Sequence, residues 1–323
     1  MTAALPRVLI TGATGFIGSA LARFLSDRGF RLFCPVRPDS PGIKKLEMLD
    51  RLELLPVSPD SGQTWARSLK PIRARAVFHL ASYGVSQADR RPEALTAGNG
   101  DLLCRILQAV ADWPLQKFIF TGSCSEYAPS HGAAALKESW PLQPVSLYGA
   151  AKASAFLFGN ALARHYRIPF FNARLFGVYG PGEAPERLIP YLIHRLHHHL
   201  PAELTAGMQQ RDLLYVDDVA EALFSLLQTE TAPPYQAYNI CSGVALTIRH
   251  IGRTVARCMG GTEDLLHWGA KAYRADEAMV VVGDNQRFRS CVPWEPKVDL
   301  ERGIQIMISR LTAKPAPEPL NPA

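Results

Sequence analysis

A tyrosine and a lysine four residues apart, Tyr148 and Lys152, begin a predicted helix that runs to Tyr166. This spacing places both side chains on one face of the helix, one turn apart. A tyrosine with a pKa of about 10 is a poor base at neutral pH, and a nearby ammonium group stabilises its phenolate. The hydroxyl of Ser123, after a buried apolar run, could bond the same substrate oxygen. The three residues together predict proton transfer at an oxygen, although tyrosine and lysine at this spacing also occur on ordinary helices.

A glycine-rich turn, TGATGFIG at residues 11–18, follows the apolar run RVLI. The run predicts a buried parallel strand, and the residues from Phe16 onward predict a helix. Gly12 permits the tight turn, Gly15 lets a pyrophosphate approach the backbone, and Gly18 lets the helix pack on its strand. Unpaired N–H groups at the helix start would face the anion. The turn therefore predicts a dinucleotide site, the alternative being a purely structural turn.

The second predicted strand, Arg31–Val36, is followed by Arg37, at the position where the second strand of a Rossmann fold meets the adenosine ribose. A carboxylate there would bond the ribose hydroxyls of NAD, whereas an arginine suits the 2′-phosphate of NADP. We therefore expect NADP(H) to be preferred, with NAD(H) still possible. The alternative is a solvated arginine at a strand end.

Further apolar runs alternate with helical segments and predict an α/β fold, a Rossmann doubly wound parallel sheet with a smaller C-terminal substrate-binding lobe. The predicted strands are Leu52–Val57, Ala76–Leu80, Lys117–Thr121 and Tyr238–Ile240, and Phe170–Val178 is predicted to hold a further strand and its exit. We expect a nucleotide-binding domain at 1–180, and a substrate lobe at 181–313 with segments near 213–243 returning to the first domain. The Pro- and Ala-rich tail, 314–323, is predicted to be disordered.

Composition excludes several classes of protein. The chain has 323 residues, of which 47% are hydrophobic and 20% charged, which is typical of a soluble globular protein. Its net charge of +6 is scattered, so we expect modest steering of phosphorylated ligands and no nucleic-acid partner. Six cysteines without a C-x-x-C pair argue against disulfides and zinc, and favour a reducing cytoplasm. No signal peptide or membrane span is expected.

The histidines have structural interpretations. His79 lies inside an apolar strand, and we expect it to be a core residue rather than a catalytic one. The cluster of His194, His197, His198 and His199 lacks matching carboxylates or cysteines, so a solvated helix face is expected rather than a metal site.

Six motifs in order, TGATGFIG, FHLAS, FIFTGSCSEY, YGAAK, RLFGVYGPGE and RDLLYVDDVA, resemble the extended short-chain dehydrogenase/reductase family of sugar-nucleotide epimerases, dehydratases and reductases. The resemblance runs to about Gln228. It implies a nucleotide-sugar substrate and a catalytic trio of Ser123, Tyr148 and Lys152. It also implies that Arg211 binds the substrate's diphosphate through its guanidinium group. A homodimer through the Asp101 and Ala151 helical segments is implied as well.

The remaining site residues are expected on the glycine turn, at strand ends and near the trio. The expected cofactor contacts are Gly12, Gly15, Phe16, Ile17, Gly18, Arg37, Leu80, Ala81, Ser82, Asn99, Thr121, Tyr148, Lys152, Leu175, Gly177 and Val178. The expected substrate contacts are Ser123, Ser125, Tyr148, Arg187 and Arg211.

Departures from the family pattern bear on the reaction. The 4,6-dehydratases carry an Asp-Glu pair where this chain has Cys124 and Ser125, so dehydration is not expected. Gly177 replaces a common Asn, which suggests a differently shaped sugar pocket. The chain most resembles the CDP-abequose and CDP-paratose synthase-like group, which reduces a 4-keto-6-deoxy sugar nucleotide with NADPH. The alternatives are a 4-epimerase with tightly bound NAD and a non-catalytic NADP-sensing protein.

Overall fold

The computed structural model of the chain describes residues 6–57, 62–85, 91–130, 132, 135–274 and 277–312. The predicted tail at 314–323 lies outside these residues. The strands are β1 Arg7–Thr11, β2 Arg31–Val36, β3 Leu52–Pro56, β4 Ala76–His79, β5 Lys117–Ser123, β6 Phe170–Leu175, β7 Gly177–Tyr179, β8 Ala202–Leu204, β9 Gln210–Arg211, β10 Leu213–Tyr215, β11 Gln236–Ile240, β12 Leu246–Thr247, β13 Leu266–Trp268 and β14 Val280–Val281. The α-helices are α1 Phe16–Ser26, α2 Gly62–Leu69, α3 Pro92–Leu95, α4 Leu102–Ala109, α5 Leu147–His165, α6 Leu188–His197, α7 Val216–Gln228, α8 Ile248–Cys258, α9 Gln286–Cys291 and α10 Leu300–Thr312.

Seven strands form one sheet in the order β11-β6-β5-β4-β1-β2-β3, and every neighbouring pair is parallel. The strands are near-continuous apolar runs because helices cover both faces of the sheet. On one face α1 and α7 contribute Leu21, Leu25 and Leu223 to the core, and on the other α4 and α5 contribute Ile106 and Phe156. The predicted Rossmann doubly wound fold is confirmed.

The C-terminal third divides between the sheet and a second core. In the segment 213–243, α7 and β11 pack with the large sheet. Phe288 and Trp294 join the same core, which the sequence did not predict. The smaller core lies among α6, α8 and α10, around Leu192, Val255 and Ile304. The domain boundary at residue 180 stays a prediction.

The segment Phe170–Val178, predicted as a strand and its exit, contains the strand β6 and most of a second strand, β7. β6 ends at Leu175, and β7 leaves the large sheet to pair with β10. A Cβ on Gly177 would lie 2.7 Å from the Asp212 carbonyl oxygen, so glycine permits this close backbone approach. The side chain of Phe176, between the two strands, is buried beside Tyr127 and Cys241.

Other boundaries differ by a few residues. β5 continues two residues beyond the predicted end and includes Ser123. The helical segment predicted at Asp101 corresponds to α4, and a π-helical segment, Thr96–Asp101, precedes it and contains Asn99. All six cysteines are free. Within the described ranges no helix has the length and apolarity that a membrane crossing requires, and no group of side chains could hold a metal ion.

Candidate active site

The glycine turn is shaped by close backbone contacts. Gly12 has a φ of +74°, and a Cβ there would lie 2.6 Å from the Ala81 amide nitrogen. A Cβ on Gly18 would lie 2.1 Å from the Gly12 carbonyl oxygen. Gly15 is the N-cap of α1, and as glycine it brings no side chain to cover the helix start. The turn thus leaves backbone N–H groups open to an anion, as a dinucleotide pyrophosphate requires.

The predicted strand-end residues lie at one edge of the sheet. Leu80 follows β4, Thr121 lies near the end of β5, and Leu175 ends β6. Gly177 and Val178 belong to β7, which continues from that edge. Phe16 and Ile17 begin α1 on the glycine turn. The carboxyl edge of parallel strands is where open α/β sheets bind ligands. The cofactor contacts of these residues stay a prediction.

Ser123 is the last residue of β5 and caps a short 3₁₀ turn, Cys124–Glu126. Its Oγ accepts a hydrogen bond from the Ser125 amide at 3.1 Å. Its own amide donates to Glu126 Oε1 at 2.8 Å. These reciprocal bonds form a capping box, which fixes the Ser123 side chain.

The start of α5 packs directly on this turn. Ser146 Oγ caps α5 by accepting a hydrogen bond from the Gly149 amide at 3.0 Å. A Cβ on Gly149 would lie 2.1 Å from the Ser125 carbonyl oxygen. This approach brings the Tyr148 hydroxyl within hydrogen-bonding reach of Ser82 and Ser123. Burial raises the pKa of Tyr148, while these hydrogen bonds lower it.

Lys152 lies beneath the tyrosine and is 1% exposed. Its Nζ is 4.4 Å from the centroid of the Phe120 ring. Burial lowers the pKa of Lys152 to about 8, and the charge of Glu126 raises it. At neutral pH, below that pKa, the side chain remains mostly an ammonium group. The structure thus brings all three members of the predicted trio together.

His79 is fully buried, as expected for a core residue. Its Nδ1 lies 2.7 Å from Thr11 Oγ1, and its ring stacks on Phe120. Burial, followed by the charge of Lys152, lowers the pKa of His79 to about 3, so the ring is neutral. The four clustered histidines on and after α6 are exposed, as predicted.

Asn99 reaches the site through Ser82. Ser82 Oγ donates to Asn99 Oδ1 at 2.8 Å, and Asn99 Nδ2 donates to the carbonyl oxygens of Tyr83 and Leu95 at 3.1 and 2.8 Å. Because Ser82 in turn interacts with Tyr148, Asn99 supports the loop beside the trio. Its predicted cofactor contact stays a prediction.

The two predicted substrate arginines differ in their surroundings. Arg211 is partly buried and pairs with Glu277, and it donates to the Ala278 carbonyl oxygen at 2.8 Å. Its charge acts on the Cys124 thiol, so the guanidinium lies near the turn that carries Ser123. Arg187 is exposed and pairs with Glu183 at 3.5 Å. In the described part of the chain, no hydrogen bond or ion pair joins Arg187 to the trio.

A buried ion pair beneath the Ser123 turn was not predicted. Glu126 and Arg174 are 0% and 2% exposed, and Arg174 Nε lies 2.7 Å from Glu126 Oε2. Asn172 Nδ2 donates to the same oxygen at 3.1 Å. The signal was available, because polar residues two apart in the apolar run FFNARL face one side of a strand.

Comparison with known proteins agrees with this geometry. Residues 8–241 match the NAD dependent epimerase/dehydratase family. The chain belongs to this family. It is an enzyme of the NAD(P)-dependent short-chain dehydrogenase/reductase type, as its motifs implied.

Relatives cover nearly the whole chain. The CDP-abequose synthase of Salmonella typhimurium is 27% identical over 94% of this chain and 98% of its own. The crystal structure of UDP-glucose 4-epimerase from Thermotoga maritima with UDP-glucose has a TM-score of 0.86 and 24% identity, covering 95% of this chain and 100% of that one. UDP-glucuronic acid 4-epimerase from Bacillus cereus, in complex with UDP-glucuronic acid and NAD, has a TM-score of 0.81 and 23% identity, covering 94% and 99%. The solved structures confirm the fold.

The contact between Gly149 and Ser125 predicts an unusual response to alanine. Gly149→Ala should lower the free energy of unfolding by about 1–3 kcal/mol, because its Cβ would overpack against a backbone carbonyl. Gly100→Ala is the matched control, since nothing lies within 4 Å of a Cβ there. In a helical setting that change should be neutral or stabilising by up to about 1 kcal/mol. Chemical denaturation measures both, and equal effects would contradict the contact.

Proposed function

We propose that the enzyme reduces a 4-keto sugar nucleotide, most closely a 4-keto-6-deoxy sugar, with NADPH. The observation that carries the proposal is the meeting of the Ser123 and Tyr148 hydroxyls above the buried Lys152 ammonium. This arrangement supplies a hydrogen-bond donor, a proton donor and a positive charge at one carbonyl oxygen. The similarity to a CDP-abequose synthase over 94% of the chain supports a reductase.

The chemistry divides simply among the groups. When bound, the reduced nicotinamide supplies the hydride for the ketone carbon. Tyr148 gives its proton to the carbonyl oxygen, and Ser123 donates a hydrogen bond to that oxygen while charge develops. The raised pKa of Tyr148 keeps its hydroxyl protonated in the resting enzyme, as a proton donor requires. Lys152 stabilises the phenolate that remains.

The residues after Ser123 argue against dehydration. Cys124 replaces a carboxylate, and burial raises its pKa to about 11, so it stays a neutral thiol. Ser125 has no acidic proton to exchange at neutral pH. Glu126 is the next carboxylate, but it is fully buried and engaged with Arg174. Elimination of water needs an acid and a base at the sugar, and this turn offers neither.

The cofactor proposal rests on the turn after β2. Arg37 is exposed, whereas Val36 is buried as the last residue of the strand. Ser40 Oγ donates to Thr14 Oγ1 at 3.0 Å, so this turn packs on the glycine turn. Arg37 therefore stands beside the place proposed for the adenosine ribose, where it would pair with a 2′-phosphate.

A 4-epimerase is the second candidate, because the same trio can oxidise a sugar and return the hydride to the opposite face. The structural similarity to two 4-epimerases is compatible with an epimerase, although at these sequence identities it supports the fold and not the reaction. An epimerase keeps its cofactor, whereas a reductase consumes it. Under either reaction, Arg211 is proposed to bind the diphosphate after releasing Glu277, with Arg187 and Ser125 as further substrate contacts.

A homodimer is also proposed. The outer face of α5 carries an apolar stripe that includes Leu147, Leu157 and Phe158, which are 56, 57 and 62% exposed. Ala150 and Ala161 continue the stripe at helical spacing. A contiguous exposed apolar face of this kind favours a partner, and a second copy in two-fold symmetry would bury both stripes together.

The reaction is tested by supplying 4-keto sugar nucleotides with NADPH and following the absorbance of the reduced nicotinamide. We expect stoichiometric NADPH consumption by the wild type. Tyr148→Phe should lower turnover by about a hundredfold or more while cofactor affinity is retained, since only the proton donor is lost. Tightly bound NAD on purification, with no net NADPH consumption, would favour the epimerase instead.

Cofactor preference is tested at Arg37. An exposed charge-assisted contact is worth on the order of 1.5–3 kcal/mol, or roughly tenfold to a hundredfold in affinity. Arg37→Ala should therefore weaken NADP(H) by that factor and leave NAD(H) unchanged. Lys44→Ala, which removes an exposed positive charge from the turn Pro41–Lys45 that follows Arg37, is a control for nonspecific charge. Tighter binding of NAD(H) than NADP(H) by the wild type would overturn the assignment.

Association is tested at the apolar stripe. Sedimentation of the wild type should give twice the 35.5 kDa of one chain. Phe158→Glu should give a single-chain mass, because it buries a charge at the centre of the proposed interface. Met48→Glu, at a residue 90% exposed elsewhere, should leave the mass unchanged. A wild-type monomer would refute the dimer.

A further inference from the structure

A buried carboxylate sits directly behind the trio. Glu126 is 0% exposed and lies three residues after Ser123. Its Oε1 accepts a hydrogen bond from the Ser123 amide at 2.8 Å, and its Oε2 accepts one from Arg174 Nε at 2.7 Å. Each carboxylate oxygen thus binds a different element, the turn after β5 and the strand β6. The position of Ser123 is thereby tied to β6 through one side chain.

The space for this carboxylate comes from a glycine in the adjoining strand. A Cβ on Gly122 would lie 2.3 Å from Glu126 Oε1 and 2.1 Å from Asn172 Oδ1. Glycine inside a strand weakens it, since it packs no side chain and loses more backbone entropy. Gly122 therefore accommodates Glu126 at a cost to β5, which indicates that the carboxylate is a specific feature of this site.

The charge of Glu126 also reaches the other two members of the trio. It raises the pKa of Lys152, against burial, which lowers that pKa to about 8. It adds to burial in raising the pKa of Tyr148. Among the described residues, the other titratable or charged groups around the trio include His79, which is neutral, Cys124, a thiol whose pKa burial raises to about 11, and Arg174, which the carboxylate itself binds. Glu126 is thus the negative charge that favours an ammonium at Lys152.

We propose that Glu126 is a positioning residue for the trio: it holds the turn that carries Ser123 by bonding both the Ser123 amide and Arg174, and it places a negative charge near Lys152 and Tyr148. The catalytic meaning of this role rests on the proposed function. The role itself is a property of the folded chain and can be measured without substrate.

The direct test is a titration of the lysine side chains by nuclear magnetic resonance, in wild type and Glu126→Gln. Lys152→Met and Lys117→Met variants assign the signals. We expect the pKa of Lys152 to fall by roughly one unit in Glu126→Gln, the low end of the effect of a neighbouring opposite charge. Lys117, at the opposite end of β5, has a pKa lowered by burial to about 8 and should not move.

Glu138→Gln is the matched control. The side chain of Glu138 is 4% exposed, its Oε1 accepts a hydrogen bond from the Asn239 amide at 2.9 Å, and its Oε2 lies 3.7 Å from Arg287 Nε. Its loss should destabilise the fold without moving Lys152. An unchanged Lys152 in Glu126→Gln, or an equal shift in Glu138→Gln, would overturn the proposal. If Glu126→Gln does not fold, Glu126→Asp, which keeps the charge, decides the positioning role through its kcat.

Kinetics separate position from charge. In Glu126→Gln the decline of kcat/KM at alkaline pH should begin at a lower pH, because the pKa of Lys152 falls. Glu126→Asp keeps the charge, so the alkaline decline of kcat/KM should occur at the same pH as in the wild type. Its kcat should fall by roughly tenfold or more, because the shorter side chain cannot bind both Ser123 and Arg174. An Asp variant with wild-type kcat would overturn the positioning role. If the wild type reduces no keto sugar, the proposed function fails while the lysine titration still decides the role of Glu126.

Discussion

Close approach of backbone to backbone at the carboxyl edge of the sheet is the constraint on which the site depends. The Ser125 carbonyl oxygen lies where a Cβ on Gly149 would be, and the Ala81 amide lies where one on Gly12 would be. Glycine in a helix costs about 1 kcal/mol relative to alanine. At Gly149 that cost allows α5 to begin against the Ser123 turn. Without this contact the Tyr148 hydroxyl would stand away from Ser123, and the two could not share one oxygen.

The buried ion pair of Glu126 and Arg174 fixes the orientation of the turn that carries Ser123. Two charges in the interior lose their hydration, so such a pair is weak evidence for stability by itself. Here the lost hydration is offset by hydrogen bonds from the Ser123 amide, Arg174 and Asn172 to the same carboxylate. Arg174 also donates to the Tyr127 hydroxyl at 3.0 Å. Because these partners come from two strands and a turn, only one arrangement satisfies them all.

The sequence predicted the parts of the fold that local patterns determine. Arg31–Val36 matches β2, and the helix from Phe16 is confirmed, because an apolar run and a glycine turn mark their ends. The exit from β6 was predicted, but not that it forms a second strand, since the pairing of β7 with β10 depends on a distant part of the chain. In a long apolar stretch of sequence, the residues themselves do not show where a strand leaves its sheet.

The site was predictable in its residue types but less so in its supports. Ser123, Tyr148 and Lys152 were recognisable because their chemistry and spacing are distinctive. Glu126 was missed, since a carboxylate after a serine turn looks like an ordinary exposed residue until its partner is known. Arg174 inside an apolar strand was the available signal, because a buried arginine requires a counter-charge. The link from Asn99 through Ser82 to Tyr148 depends on side-chain geometry that spacing does not encode.

The pairing of Arg211 with Glu277 bears on which ligands the proposed substrate site can accept. The guanidinium already has a carboxylate and the Ala278 carbonyl as partners. A ligand therefore binds there only if its interaction with the guanidinium is more favourable than the interaction that it displaces. A neutral sugar offers less than the carboxylate it would displace. A diphosphate carries at least two negative charges and several acceptor oxygens, and a guanidinium binds such oxygens in pairs. The ion pair with Glu277 therefore disfavours binding of weakly interacting ligands at Arg211, and it favours nucleotide sugars over free sugars at the proposed site.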